Sequence, residues 1–325
     1  MPTRPNGRSS AGPCLSGDVQ ESQEEVGGAP RTCAAWSETL DEPMAGTAPV
    51  ATSWLCLEQP GPWGHDALLR SHLDPELGRC LAERASAHGV RIQLIRSTGR
   101  HPDTGGKFSR TVYLAHTTPG ASWLRGTELT APEQLLDLDF AAFAAGEHGG
   151  WGTPRTEPVL LVCTNGRRDR CCALRGRALL EQLAGRHDGQ LWETTHLGGH
   201  RFAPTAVVLP TGYGYGRLDP HTVDAVLADA AVGKVATTHC RGRCALSHPA
   251  QVAELAVREA TGERGEDALR VRARSPEGVS LEHRDGRSWQ VDLDETTLSP
   301  ARPNSCGKTA VEIGAWTARR VHRLS

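Results

Sequence analysis

The chain has 325 residues, with 36 Lys and Arg against 38 Asp and Glu for a formal net charge of -2. That is more than a single hydrophobic core usually holds, so two or three units are expected, and the near-balance of charge excludes attraction of the whole chain to nucleic acid or an anionic membrane. No apolar run is long enough to span a bilayer and the amino terminus lacks the apolar core of a secretion signal, so a cytoplasmic protein that binds neither nucleic acid nor membrane is expected.

Residues 1–47 are rich in Gly, Ser, Pro, Glu and Thr with few large aliphatics, a composition that predicts a disordered tail. Ser53 to Leu57 reads as a buried strand running into the turn Gln59-Pro60-Gly61-Pro62-Trp63-Gly64. Asp74 and Pro75 open a helix carrying Leu77, Leu81 and Ala85 on one face, and Gly89 stops it. Strands follow at Val90 to Ile95 and Arg110 to Ala115, which makes residues 48–150 an α/β half. The Gly- and Pro-rich stretch from Ala144 to Pro158 reads as a linker.

A second α/β unit is expected over 151–245. Its elements are a strand at Val159 to Cys163, a helix around Arg175 to Gly185, strands at Gln190 to Thr195, Thr205 to Leu209 and Tyr213 to Leu218, then a helix opened by Asp219-Pro220. This order is also the thioredoxin-like arrangement. Residues 246–325 predict a helix from Pro249 to Glu259 and a β-rich segment with strands at 271–274, 279–283 and 289–293, the last two joined by an Asp285-Gly286 turn.

The ten cysteines are spread over a chain with ample material for a core, so clustered ones point to metal or redox chemistry rather than disulfides. Two pairs of candidate ligands stand at the ends of predicted strands: Cys163 with Cys172, and His196 with His200 in His-Leu-Gly-Gly-His. Structural zinc sites usually space their cysteines by two to four residues and set a His pair on a helix. Neither condition holds, since Gly198-Gly199 disfavours a helix by roughly 1 kcal/mol per glycine. Two cysteines with two histidines is instead the ligand set of a Rieske-type two-iron, two-sulfide cluster, whose imidazoles raise the potential and can couple electron gain to proton gain. By spacing alone, Cys171 competes with Cys172 as the second thiolate.

The segments Cys163 to Cys172, Trp192 to Thr205 and Leu209 to Tyr213 resemble the sucrase/ferredoxin-like family of bacteria, plants and fungi. Weaker likeness lies at Glu58 to Gly64, Arg241-Gly-Arg243 and Cys306-Gly-Lys308. The resemblance implies a thioredoxin-like ferredoxin domain over 151–245, with cluster ligands at Cys163, Cys172, His196 and His200. It also implies a one-electron carrier serving an unidentified redox partner, a reductase or an acceptor.

Other readings compete. A zinc-binding structural protein would use the same four residues. A thiol-disulfide oxidoreductase is suggested by vicinal Cys171-Cys172, although no Cys-x-x-Cys opens a helix here. A sucrose hydrolase would need two opposed carboxylates, and no such pair stands out. Cys240 and Cys244 read as structural thiols ahead of a second metal site or redox pair, Arg167, Arg168, Arg170, Arg175 and Arg177 as either a docking patch or a solvated face, and Arg201 as a neighbour of the cluster or an anchor of its loop. No phosphate-binding glycine loop is present.

Overall fold

The computed structural model describes residues 32–99, 108–275 and 278–325. Helix α1 (Cys33–Thr39) is capped by the Thr32 hydroxyl, which accepts from the Ala35 N–H. Strand β1 (Ser53–Glu58) leads through the short helix α2 (Ala67–Arg70) to helix α3 (Pro75–His88). Asp74 caps α3 by accepting from the Leu77 N–H at 2.9 Å, and Gly89 ends it with a φ of 68°, as the sequence expects. Strands β2 (Val90–Ser97), β3 (Arg110–His116) and β4 (Trp123–Leu129) follow, then helix α4 (Phe140–Ala144).

After the two-residue edge strand β5 (Thr153–Pro154) the order repeats. Strand β6 (Val159–Cys163), helix α5 (Arg170–Gln182), strands β7 (Leu191–Thr194), β8 (Ala206–Leu209) and β9 (Tyr213–Tyr215), and helix α6 (Pro220–Ala230) form a second β-α-β-β-β-α run. In each run the first two strands pair in parallel across a helical crossover. The third pairs antiparallel to the first, and the fourth to the third. Strand β10 (Cys240–Arg243) adds at the edge, giving one mixed sheet in the order β10-β9-β8-β6-β7-β2-β1-β3-β4-β5. The runs meet where β2 and β7 pair antiparallel at Ile95–Thr194, Arg96–Glu193 and Ser97–Trp192.

The structure corrects several expectations. One sheet crosses the boundary expected near residue 150, and β5 lies within the expected linker, paired with β4. Helix α5 begins at Arg170 rather than near Arg175, because the Asp169 carboxylate caps it through the Cys171 N–H. Of the expected tail, residues 1–31 lie outside the described residues, but residues 32–47 are structured. The small side chains Cys33 and Ala34 pack with Cys171 and Ala203, a contact that needs closeness rather than bulk.

The carboxyl-terminal part is helix α7 (His248–Thr261) and a separate antiparallel sheet of β11 (Leu269–Ser275), β12 (Gly278–His283), β13 (Ser288–Pro303) and β14 (Ala310–Arg323). Ala253 and Val257 of α7 pack on Leu269, Leu281 and Trp289 of the sheet region. The strand expected at 289–293 is only the start of the long β13–β14 hairpin, whose tip returns to the second run of the large sheet. Among the described residues no helix is long and apolar enough to cross a membrane.

Candidate metal centre

Strand β6 is buried along its whole length and delivers Cys163 at its carboxyl end, where the Cys163 N–H donates to the Thr205 carbonyl at 2.9 Å. Cys171 and Cys172 occupy the first turn of α5, and consecutive helical residues point about 100° apart. They therefore serve different neighbourhoods. Donor atoms of Cys172, Cys163 and His196 lie within 4.8 Å of one another, whereas Cys171 Sγ lies against Cys33 and Cys306. Geometry thus separates the two cysteines that spacing alone leaves in competition.

Strand β7 delivers the histidine loop. Gly198 and Gly199 both have left-handed backbones, with φ of 89° and 70°, and His200 opens a 3-10 turn spanning His200–Phe202. The pair forms a loop, as the glycines predict, and the His196 and His200 ring centroids are 5.3 Å apart. Buried Arg241 braces that loop by donating to the Gly198 carbonyl at 3.1 Å and to Thr47; a Cβ at Gly199 would collide with its guanidinium. Arg91 donates to the His196 carbonyl at 3.1 Å.

The imidazoles keep unused ring nitrogens. Nδ1 of His196 and Nδ1 of His200 are both buried without a hydrogen-bond partner. Nε2 of His200 donates to the Asn304 carbonyl at 2.6 Å, which places the proton on Nε2 and leaves the Nδ1 lone pair free. A backbone carbonyl behind the outer nitrogen is the usual support of a metal-bound histidine. Burial holds the His200 pKa below its ordinary value, against the pull of Asp169, and so favours the neutral ligand form. Between the thiols, the hydrogen bond from Cys172 holds Cys163 well below its ordinary pKa, while Cys172 is raised. Two buried thiols, the Nδ1 lone pair of His200 and the unpartnered Nδ1 of His196 are soft and borderline donors of the kind a metal or cluster takes, with His200 standing outside the close group of Cys163, Cys172 and His196.

Other expected features are accounted for differently. Arg201 ties its loop to Glu42 at 2.6 Å and to the Asn304 side chain at 2.9 Å. Cys240 and Cys244 are buried, burial pushes both thiols up to about 12, and neither joins a possible metal group among the described residues. Trp63 is a packing residue under the Arg96 guanidinium, 4.4 Å from its ring centroid. The basic stretch divides: Arg175 pairs with Glu38, Arg168 bonds His65 at 2.8 Å, and Arg167 and Arg177 line a cleft of about 370 Å³. Asn304 and Asp169 were missed as site residues. An Asp directly before a helix is a cap signal that could have found Asp169; nothing local marks Asn304.

The fold and site define a mixed α/β protein with a Cys/His group that could hold a metal, set at the strand ends of its second run. The chain matches the sucrase/ferredoxin-like family over residues 44–242, more than half its length, and belongs to that family. Comparison with curated proteins and with solved structures gives no match. All four expected ligands fall within the matched segment, whereas Cys33 and the hairpin tip at Asn304 to Cys306 fall outside it.

Proposed function

We propose that Cys163, Cys172, His196 and His200 bind a two-iron, two-sulfide cluster in a thioredoxin-like ferredoxin domain, and that the chain is a one-electron carrier. The observation that carries this reading is His196 grouped with two buried thiols, the His200 ring centred 5.3 Å from that of His196, both Nδ1 atoms buried and unpartnered, and the outer nitrogen of His200 held by a backbone carbonyl. Such a cluster, when bound, supplies one-electron transfer at a potential raised by its imidazoles.

The protein's residues supply the rest. Arg241 and Arg91 fix the histidine loop, and Thr164, next to Cys163, donates to Glu193 at 2.6 Å, so the strand ends are held in register. The histidines are half-buried and the thiols buried, which turns the imidazole side toward the surface. A cleft of about 450 Å³ beside His196 is lined by Arg91, Arg168 and His65, suiting contact with an acidic redox partner. His200 Nε2–H gives the site an exchangeable proton, which underlies the proposed proton coupling. Glu193 is occupied by Arg96 and Thr164, and Asp169 by three donors, so the carboxylates nearest the site lack the freedom glycoside hydrolysis needs.

A single zinc ion on Cys163, Cys172 and His196 is the second reading, favoured by the closeness of those three donors. Anaerobic purification with iron, labile sulfide and zinc analysis decides between them. The cluster reading expects a coloured protein with a Rieske-like paramagnetic signal on reduction. It also expects His196→Cys and His200→Cys to keep iron but flatten the pH dependence of the potential. A colourless zinc protein without sulfide would overturn it.

A further inference from the structure

A second sulfur-rich group stands beside the first. Cys33 Sγ lies 3.5 Å from Cys171 Sγ, Cys171 Sγ lies 3.2 Å from Cys306 Sγ, and Cys306 Sγ lies 3.5 Å from Cys33 Sγ. Both carboxylate oxygens of Asp169 are 3.8 Å from Cys33 Sγ, and donor atoms of all four residues lie within 4.8 Å of one another. The four come from separate places: helix α1, the cap and first turn of α5, and the tip of the β13–β14 hairpin.

Packing alone does not account for this group. A purely apolar contact of small side chains would not enclose a carboxylate, and Asp169 is almost fully buried. A disulfide would join two of the sulfurs at about 2.05 Å and leave the third thiol without a role. A tetrahedral zinc ion with Zn–S bonds of about 2.3 Å spaces its sulfurs about 3.8 Å apart, so the observed triangle needs only a few tenths of an ångström of expansion. Half-buried Cys306 can supply that movement.

Asp169 is fitted to be the fourth ligand. Its Oδ2 accepts from the Ser305 hydroxyl and the Cys306 N–H, each at 2.8 Å, while Oδ1 accepts from the Cys171 N–H and from the Cys33 thiol, a bond that ends when the thiol gives up its proton on binding the metal and so frees a lone pair there. Three thiolates and a carboxylate would leave a divalent ion with excess negative charge. Arg170 and Arg175 flank Cys171 along α5, and Cys171 lies in the amino-terminal turn of that helix, whose free N–H groups favour negative charge.

We propose that Cys33, Cys171, Cys306 and Asp169 bind one zinc ion in a tetrahedral site of three sulfurs and one oxygen, releasing the thiol protons to solvent. The ion clasps α1 and the hairpin tip to α5. Because the same tip presents Asn304 to His200, the clasp also sets the support behind that imidazole. Two of the ligands, Cys33 and Cys306, lie outside the segment matched to the family.

The test is elemental analysis and zinc-edge X-ray absorption on the full chain purified anaerobically and supplied with zinc alone. About one equivalent of zinc is expected, with three sulfurs near 2.3 Å and one lighter ligand in its shell. Cys33→Ser and Cys306→Ser should lose that zinc and keep their iron, whereas His196→Ala should lose iron and keep zinc. Absence of bound zinc in the unmutated chain would overturn the proposal. So would a shell of two sulfurs and two nitrogens, or a non-reducing mass showing two of the three thiols joined. Absorption on the unmutated chain keeps the proposal falsifiable if a variant fails to fold, and the separate iron and zinc readouts keep its failure distinct from failure of the cluster reading.

Discussion

The two β-α-β-β-β-α runs share a strand order but use the ends of their first strands differently. Strand β1 ends on Glu58, whose carboxylate accepts from the Thr111 N–H at 2.9 Å, and continues into a turn that is all packing: Trp63 Nε1 donates to the Gln59 carbonyl at 2.8 Å and Arg96 lies over its ring. Strand β6 ends on Cys163, and the loop after it leads to Cys172. On the proposed ligation the first run is a brace and the second a ligand frame. Across the seam the brace reaches over, since Arg96 bonds Glu193, and Asn165 of the ligand loop donates to the Gly64 carbonyl at 3.3 Å. A repeated topology does not imply repeated chemistry; the strand-end residues decide it.

The widest contrast should appear in iron content. Cys163→Ser is expected to abolish bound iron, whereas Glu58→Gln at the end of β1 should leave iron per chain unchanged. Equal iron loss in the two variants, measured on soluble folded protein, would contradict the division into brace and frame.

The seam itself should be next in size. Arg96 and Glu193 are almost wholly buried and 2.6 Å apart, so Arg96→Met leaves an uncompensated buried carboxylate and should cost about 3–5 kcal/mol, read as a lowered denaturant midpoint. Adding Glu193→Gln should recover most of that loss. If the double variant is no more stable than the single one, the pair does not hold the runs together.

Gly89 and Gly199 offer a smaller and more local comparison, because their φ angles are nearly equal at 68° and 70°. A Cβ at Gly89 meets nothing nearby, so Gly89→Ala should cost only the left-handed penalty of about 1–2 kcal/mol. At Gly199 the Cβ runs into Arg241, so Gly199→Ala should cost more and should also alter the absorbance of bound iron by moving His200. Identical midpoints for the two variants would mean that Arg241 yields freely and does not brace the loop.

What was legible in the sequence follows from how local each signal is. Cys163, Cys172, His196 and His200 could be singled out because the members of each pair lie within ten residues of each other after one strand, and the Asp-Pro cap of α3 and the Gly89 stop are equally local. Cys33 and Cys306 could not be grouped with Cys171, because 138 and 135 residues separate them from it along the chain. The similar element order of the two halves was visible, but residue identity left a structural repeat undecided: strand pairing constrains the alternation of burial, not residue identity, so two runs can share a topology without similar sequences. The length of β13 and β14 was hidden by their exposure, since much of the hairpin lacks the apolar alternation that marks a half-buried strand.

The smallest effect expected belongs to a helix cap of the ligand-bearing run. Asp219 is exposed and caps α6, accepting from both the N–H and the hydroxyl of Thr222 at 2.7 and 2.8 Å, and these bonds hold its carboxyl below its ordinary pKa. A carboxyl whose folded pKa is lowered adds stability above its unfolded pKa, near 3.9, and loses it as pH falls through the folded value. Asp219→Ala should therefore cost about 1 kcal/mol near neutral pH, with the gap to the unmutated chain narrowing below about pH 4. Asp219→Asn, which keeps a capping acceptor without the charge, should lose little at neutral pH and remove most of that pH dependence. Denaturant midpoints for the three proteins across this range test it; a gap between Asp219→Ala and the unmutated chain that widens toward acid would show that the cap acts through something other than its ionised oxygen.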